Sequence, residues 1–273
     1  VDPINVKKFS GPRPLRAAEI HPTAVVSPQA RLGFNVTIGP HAVIGPDVEI
    51  GPECVIGSNV LIDGHTTIGG NNHVYHGAAI GCPPQDFKYQ GETSHVDIGE
   101  DNIIREYATI HRATGEGEKT RIGNGNFLMA YVHIAHNCYI HDHAIIANAV
   151  NLAGHVEVED YATIGGMTPV HQYVRIGRFC FIGGGSRLPQ DVPPFIKVAG
   201  NPVETAGINS IGLKRHGFSD KEILNIKKAY RLLYRAGLNV SQALERIASD
   251  CELSRDIEDL MAFIRRSERG IVR

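Results

Sequence analysis

Six histidines fall between positions 133 and 171: His133, His136, His141, His143, His155 and His171. A neutral imidazole can remove a hydroxyl proton near pH 7, so general-base chemistry is the first function this residue type suggests. Three imidazoles can also build an open catalytic zinc site, but no Cys/His ligand motif accompanies these. Stacking along an outer surface is the structural alternative. Ser27, Ser186 and Ser210 stand in no nucleophile-elbow context, and Gly183, Gly184 and Gly185 do not join a strand to a helix. Neither a seryl nucleophile nor a dinucleotide fingerprint is therefore indicated. Spacing is more informative than count. His155 follows His136 by one more than three steps of six, and His171 follows it by one fewer than six such steps. A fold that returns to the same corner every three steps would bring these imidazoles together.

The sequence carries that repeat. Stepping by six from Ile20 to Leu188 gives Ile, Leu or Val at 26 of 29 positions, the exceptions being Asp86, Glu92 and Glu116. A helix would require a period near 3.6, and an ordinary strand would keep alternating. Six residues suit a short strand and a corner, and three such hexads close a triangular coil. The residue two before the aliphatic is usually small or β-branched, as at Ala24, Ala30, Val36, Ala42, Val48, Cys54 and Val60, and shares the interior with it. Glycine follows many of the aliphatics, at Gly33, Gly39, Gly45, Gly51 and Gly57, where it is expected to supply corner dihedrals. Residues 20–189 then form about nine stacked parallel coils of a β-solenoid, each burying its apolar side chains against its neighbours. A β-sandwich has no reason to hold one hexad phase over this length.

Two interruptions preserve the phase. Residues 81–97 contain Pro83 and Pro84, which oppose a strand ladder, and residues 112–120 contain Gly115 and Gly117. Both read as excursion loops, and loops on a rigid scaffold are good places to bind substrate. After Leu188 the period changes. Pro189, Pro193, Pro194 and Pro202 mark a capping segment, and helical patterning begins at Ser219. Ser219 with Glu222 fits a capping box, Gly237 a helix stop, and Asn239 with Gln242 a second helix start. A third helix is expected over about 255–267. Residues 190–273 thus form a capping segment and small helical domain.

The chain has 273 residues, 42% apolar and 21% charged, with a formal charge of -2. That composition excludes a mostly disordered chain, and the near balance of charge argues against a general nucleic-acid binder. No run of 18 apolar residues is present, so no transmembrane segment is expected. Residues 1–19 read as a polar leader without the apolar core of a secretory signal. Five scattered cysteines, Cys54, Cys82, Cys138, Cys180 and Cys251, suggest a reducing, cytoplasmic setting. One local charge bias stands out. Lys214, Arg215, Lys221, Lys227, Lys228, Arg231 and Arg235 face only Asp220 and Glu222 nearby, a formal +5. A solvated helix face or steering of an acidic partner would each account for it.

Several segments resemble one family closely. HIAHNC at 133–138, LAGHVEVED at 152–160, IGGMTPVHQ at 164–172 and QDVPPF at 190–195 are similar to acyl-carrier-protein–UDP-N-acetylglucosamine O-acyltransferases. QDFKYQGE at 85–92, IREYATIHR at 104–112 and GLKRHGFS at 212–219 extend the resemblance over almost the whole chain after residue 19. It implies a left-handed parallel β-helix with a helical C-terminal domain, a homotrimer with sites between subunits, and the first reaction of lipid A synthesis. The partners implied are acyl carrier protein and UDP-N-acetylglucosamine. No cofactor or metal is implied beyond the 4'-phosphopantetheine that arrives on the carrier.

Carried over by position, the resemblance makes His136 the general base and the Gly154 N–H the stabiliser of the thioester oxygen. It makes Gln85, Asp86, Lys88, His133, His155, His171, Gln172, Asn209 and Arg215 substrate contacts, and it puts Phe181 and Gly184 beside the acyl chain. Lys214, Arg215, Lys221, Lys227, Lys228, Arg231 and Arg235 become the carrier-binding surface. Three positions depart from the family pattern. Asn137 stands where an aspartate usually follows the base, Ile211 where an acidic residue is frequent, and His216 where another arginine is common. Asn137 lacks the carboxylate charge that would raise the basicity of His136. An N-acyltransferase acting on an amino-sugar nucleotide and a noncatalytic β-helical binding protein are the alternatives.

Overall fold

The computed structural model describes residues 15–273. Most of the expected leader, residues 1–14, lies outside the described residues. From Glu19 the chain turns repeatedly around three flat faces. The first face stacks strands from Glu19–Ile20 to Phe181–Ile182, the second from Val25–Val26 to Pro169–Val170, and the third from Arg31–Leu32 to Arg175–Ile176. Every pairing between these coil strands is parallel and sets aliphatic beside aliphatic, as with Ile38 and Ile56, Ile44 and Ile62, or Ile50 and Ile68; the one shift in register follows Ile80, where the first loop departs. Single bridges from Val170 to Leu188 and from Ile176 to Val192 complete a ninth coil. The result is a left-handed parallel β-helix.

The side chains explain why the coil closes. Ile38, Ile44, Ile50, Ile56 and Ile62 are buried together with Val36, Ala42, Val48, Cys54 and Val60, two residues before each. Burying each such aliphatic side chain contributes about 1.5–3 kcal/mol against the entropy of ordering its hexad. The expected role of the glycines needs correction. The left-handed corner residue is not the one after the aliphatic but the one three after it, and it is mostly non-glycine. From Asn35 through Asn59, Asn137, His155 and Tyr161 to Phe179, these residues have φ between 55° and 63°. Gly33 and Gly51 serve close approach instead. A Cβ at Gly33 would lie 2.6 Å from Pro52 N, and one at Gly51 would lie 2.6 Å from Gly69 C.

Stacking turns each corner into a column. After the second face come Asn137, His155 and Tyr173; after the third come His143, Tyr161, Phe179 and finally Phe195. At the third corner the rings of His143 and Tyr161, then Tyr161 and Phe179, stack at 4.8 and 4.9 Å. Both interruptions of the repeat leave at the second corner. Ile80 and Ile98 occupy consecutive faces although three steps of six separate them, so two hexads more are present than the coil requires. Ile110 and Ile122 likewise occupy consecutive faces with one extra hexad between them. Strands end at Cys82 and resume at His95, then end at His111 and resume at Lys119. Because each insert is a whole number of hexads, the sequence phase passes through it undisturbed.

Beyond the ninth coil, Ile196–Ala199 adds in parallel to the first face, and Glu204–Ile208 folds back antiparallel, covering the edge of the ladder. Four helices follow: α1 (Ser210–Arg215), α2 (Asp220–Tyr234), α3 (Val240–Asp250) and α4 (Arg255–Arg265). Both expected capping boxes form, at Ser219 with Glu222 and at Asn239 with Gln242. α2 stops at Tyr234, three residues before Gly237, whose φ is 68°. α1 and the terminal hairpin were not evident in the periodicity. Phe179 and Phe195 pack with Leu213, Ile226, Leu233, Ile247 and Leu260 in one apolar cluster, so the helices seat on the third corner. Arg178 fastens them further through Asp256 at 2.6 Å and Asp259 at 2.8 Å.

Candidate active site

The second corner collects the reactive groups. His136 lies two residues past the inward Ile134, and Gly154 holds the same position one coil on, because Ile134 pairs with Leu152. The imidazole rests against the Gly154 backbone. A Cβ added at Gly154 would come 2.5 Å from His136 Nε2, so the ring occupies space that any other residue would claim. His155 follows, its ring 5.2 Å from that of His136 in an edge-to-face contact and stacked on Tyr173 at 4.5 Å.

Hydrogen bonding fixes the tautomer of His136. The Thr114 N–H donates to Asn137 Oδ1 at 3.0 Å, and Asn137 Nδ2 donates to the Thr114 carbonyl at 3.1 Å. A backbone N–H can only donate and a carbonyl can only accept, so the amide has one orientation. Its oxygen therefore faces His136 Nδ1 at 2.9 Å, and Nδ1 carries the proton. Nε2 keeps its lone pair. It faces Asp86 Oδ2 across 3.8 Å, a gap too long for a hydrogen bond, with the two side chains only 16% and 18% exposed. Asp86 is itself held by the Lys88 N–H, 3.0 Å from Oδ1, and that bond keeps its carboxyl below the ordinary carboxylate range.

Burial disfavours the charged form of the surrounding imidazoles. Burial, aided by nearby His111 and His136, pushes His133 down to about 4. Its Nδ1 lies 2.8 Å from Thr109 Oγ1, and its ring meets that of His111 edge-on at 5.2 Å. Burial also lowers His111 and His155. The backbone supplies a further donor. At this corner position the coil leaves the N–H outside its ladder. On the third corner carboxylates take up the equivalent groups, Asp142 accepting from Asn124 N at 2.6 Å and Asp160 from Asp142 N at 2.9 Å. Among the described residues nothing takes up the Gly154 N–H. An imidazole with a free ring nitrogen and an unbonded amide N–H thus sit side by side near the two loops.

Comparison with known proteins gives the family. Residues 191–272 match the second domain of UDP-N-acetylglucosamine O-acyltransferase, and residues 29–64 and 119–154 match the bacterial transferase hexapeptide. An acyl-[acyl-carrier-protein]–UDP-N-acetylglucosamine O-acyltransferase of Halorhodospira halophila is 50% identical over 255 residues, covering 93% of this chain and 99% of its own. The chain belongs to this family. Structures of the Bacteroides fragilis and Arabidopsis UDP-N-acetylglucosamine acyltransferases superpose on it with TM-scores of 0.91 and 0.82. Their identities are 42% and 38%, each over 93% of this chain and 99% and 100% of theirs.

The family's other positions separate into groups within one chain. Gln85 and Lys88 are exposed on the first loop beside Asp86. His171 and Gln172 are exposed on the second corner two coils beyond Ala135 and His136. His141 and His143 leave the cluster: His141 faces Glu157 at 3.0 Å on the third face, and His143 joins the third-corner column. Phe181 lies on the first face, and Gly184 at the corner after it. Asn209 sits at the third corner, where its Nδ2 donates to the Phe179 carbonyl at 3.0 Å and its Oδ1 caps α1 by accepting from Gly212 N at 3.1 Å. Arg215 is exposed at the end of α1.

Of the basic residues, Lys221 pairs with Glu252 at 2.8 Å, Lys214 with Asp220 at 3.3 Å, and Lys228 donates to the Asp250 carbonyl. Among the described residues Arg215, Lys227 and Arg231 form no ion pair, so the unopposed field is narrower than the local sequence suggested. Ile211 is exposed, and His216 packs on Tyr161 at 4.8 Å. His111 and Thr114 were missed as site residues. The phase places His111 beneath Ala135 only once the extra hexad of the second loop is discounted.

Proposed function

We propose that this chain transfers a 3-hydroxyacyl group from acyl carrier protein to the 3-hydroxyl of UDP-N-acetylglucosamine, the first step of lipid A biosynthesis. His136 Nε2 takes the proton of the sugar hydroxyl that enters between it and Asp86. The freed oxygen attacks the thioester carbonyl carbon directly, without an acyl-enzyme. The Gly154 N–H donates to the oxyanion that forms, and Asp86 balances the imidazolium. When the carbon–sulfur bond breaks, the imidazolium returns its proton to the departing thiolate. Phosphopantetheine belongs to the carrier substrate and needs no resident cofactor. The observation that carries this reading is the fixed Nδ1–H tautomer, which leaves a basic Nε2 beside an unengaged amide.

The sugar nucleotide sits under the first loop against Gln85, Asp86, Lys88, His133, His155, His171 and Gln172, and Phe181 and Gly184 flank the acyl chain. One protomer does not unite its own parts. His136 is on the second corner, whereas Asn209, Arg215 and the basic surface of α1 and α2 are on the third. A ring in which the second corner of one copy meets the third corner of the next would join them, and a homotrimer is such a ring. In this reading the prism of residues 20–189 does the chemistry, and residues 190–273 receive the carrier through Lys214, Arg215, Lys221, Lys227, Lys228, Arg231 and Arg235. Among the described residues no helix is long and apolar enough to cross a membrane, and both substrates are water-soluble, which suits a cytoplasmic site. The test offers 3-hydroxyacyl carrier proteins of several chain lengths with the 3-hydroxy and, separately, the 3-amino sugar nucleotide. Ester product from the hydroxy sugar is expected by mass; product from the amino sugar alone would replace the reading with N-acyl transfer.

A further inference from the structure

Asn137 makes more bonds than orientation of a histidine requires. Asn137 both accepts from and donates to the Thr114 backbone, at 3.0 and 3.1 Å, a two-point clamp on the second loop. Its own N–H donates to Thr120 Oγ1 at 2.9 Å, where that loop rejoins the prism. The second loop in turn holds the first. Gly117 N–H donates to the Thr93 carbonyl at 2.8 Å, Thr93 N–H to Glu116 Oε2 at 3.1 Å, and Gly115 N–H to Glu92 Oε1 at 2.8 Å. Arg112 bonds the Tyr89 hydroxyl at 2.8 Å and the Gly81 carbonyl at 3.1 Å. A continuous chain of bonds therefore runs from His136 Nδ1 through one amide to the loop that carries Asp86.

We propose that Asn137 is a positioning residue that locks the sugar-binding loops to the prism and sets the His136 tautomer with the same amide, so that aspartate cannot replace it in this chain. A carboxylate accepts but does not donate. Aspartate at 137 would still receive the His136 and Thr114 N–H groups, while its second oxygen would oppose the Thr114 carbonyl across the present 3.1 Å contact. The orienting bond would survive and the lock would open. The functional half of this inference rests on His136 being the base.

The charged and titratable groups gathered around His136 and His155 are Asp86 and Lys88 on the first loop, Glu118 on the second, and His111 and His133 on the coils. Asn137 is the side chain bonded to Nδ1. A carboxylate placed there would favour the imidazolium and move the ascending limb of the pH–rate profile upward by about one unit. The test compares the whole protein with Asn137→Asp and Asn137→Ala. It uses amide hydrogen exchange over residues 112–118 and steady-state kinetics against UDP-N-acetylglucosamine as a function of pH. Asn137→Asp should accelerate exchange at least tenfold and raise KM for the sugar nucleotide at least tenfold, a larger change than in kcat above the limb. It should also shift the limb upward. Asn137→Ala should loosen the same residues without that upward shift. Exchange and KM within twofold of the parent in both variants would overturn the lock. Exchange needs no turnover, so near-parental activity of a His136 variant would remove the general-base reading while leaving the clamp to stand on its own result.

Discussion

Two corners of the same prism have almost identical backbones and opposite uses. At the third corner the outward N–H groups of Asn124 and Asp142 are engaged by Asp142 and Asp160 one coil further on, and the left-handed residues stack as His143, Tyr161 and Phe179 beneath the helices. At the second corner the equivalent positions are His136, Gly154 and Gln172, and no carboxylate closes over the Gly154 N–H among the described residues. At this corner position the later coils leave an outward N–H donor, whereas Pro28, Pro46 and Pro52 remove it from the early ones. Side chains decide whether it becomes part of the scaffold or stays available for a substrate.

Four variants test this contrast. The largest effect is expected for His136→Ala, which should lower turnover by about 10²–10⁴-fold with an unchanged thermal midpoint. Turnover near the parent's would mean that the second corner does not host the chemistry. Gly154→Ala comes next. Its Cβ must displace the imidazole, and a shift of that kind costs about 10²-fold in kcat; a structure of the variant with the ring unmoved and the rate preserved would contradict the close-packing argument. Lys227→Glu combined with Arg231→Glu probes the surface seated on the third corner. Affinity for the carrier should fall about tenfold at low salt and converge with the parent at high salt. Equal affinity at both ionic strengths would separate that surface from the carrier. Asp142→Ala should have the smallest effect, about 1 kcal/mol of stability, the usual worth of a side chain that caps a backbone N–H, measured by denaturant unfolding with turnover unaltered. A large loss of activity instead would mean that the two corners are not separable.

The prism was legible because one physical demand, an aliphatic side chain facing inward every six residues, is repeated along the sequence. The caps of α2 and α3 were legible because Ser219 with Glu222 and Asn239 with Gln242 act over three residues. The His136–His155 contact followed from the coil length alone. What escaped was whatever depends on distant partners or on loop geometry. Glycine was given the corner dihedral, whereas Gly33 and Gly51 answer to the backbone of the next coil. Lys221 and Lys228 looked unopposed because Asp250 and Glu252 come only at the end of α3 and just beyond it. Asn137 looked like a weakened aspartate, since nothing in HIAHNC announces that Thr114 offers it both an N–H and a carbonyl.

Each inserted loop leaves a strand that is stacked on coils below and above, and rejoins one that is equally supported: Ala79–Cys82 lies between Leu61–Ile62 and Thr109–His111, and His95–Ile98 lies between His65–Ile68 and Lys119–Ile122. The ladder is therefore blind to how much chain is spooled out at that point. If the first loop grips the acceptor, as proposed, preference for it and integrity of the shaft are separately mutable. Exchanging residues 83–94 for another segment would retune what is gripped without asking a single rung to shift.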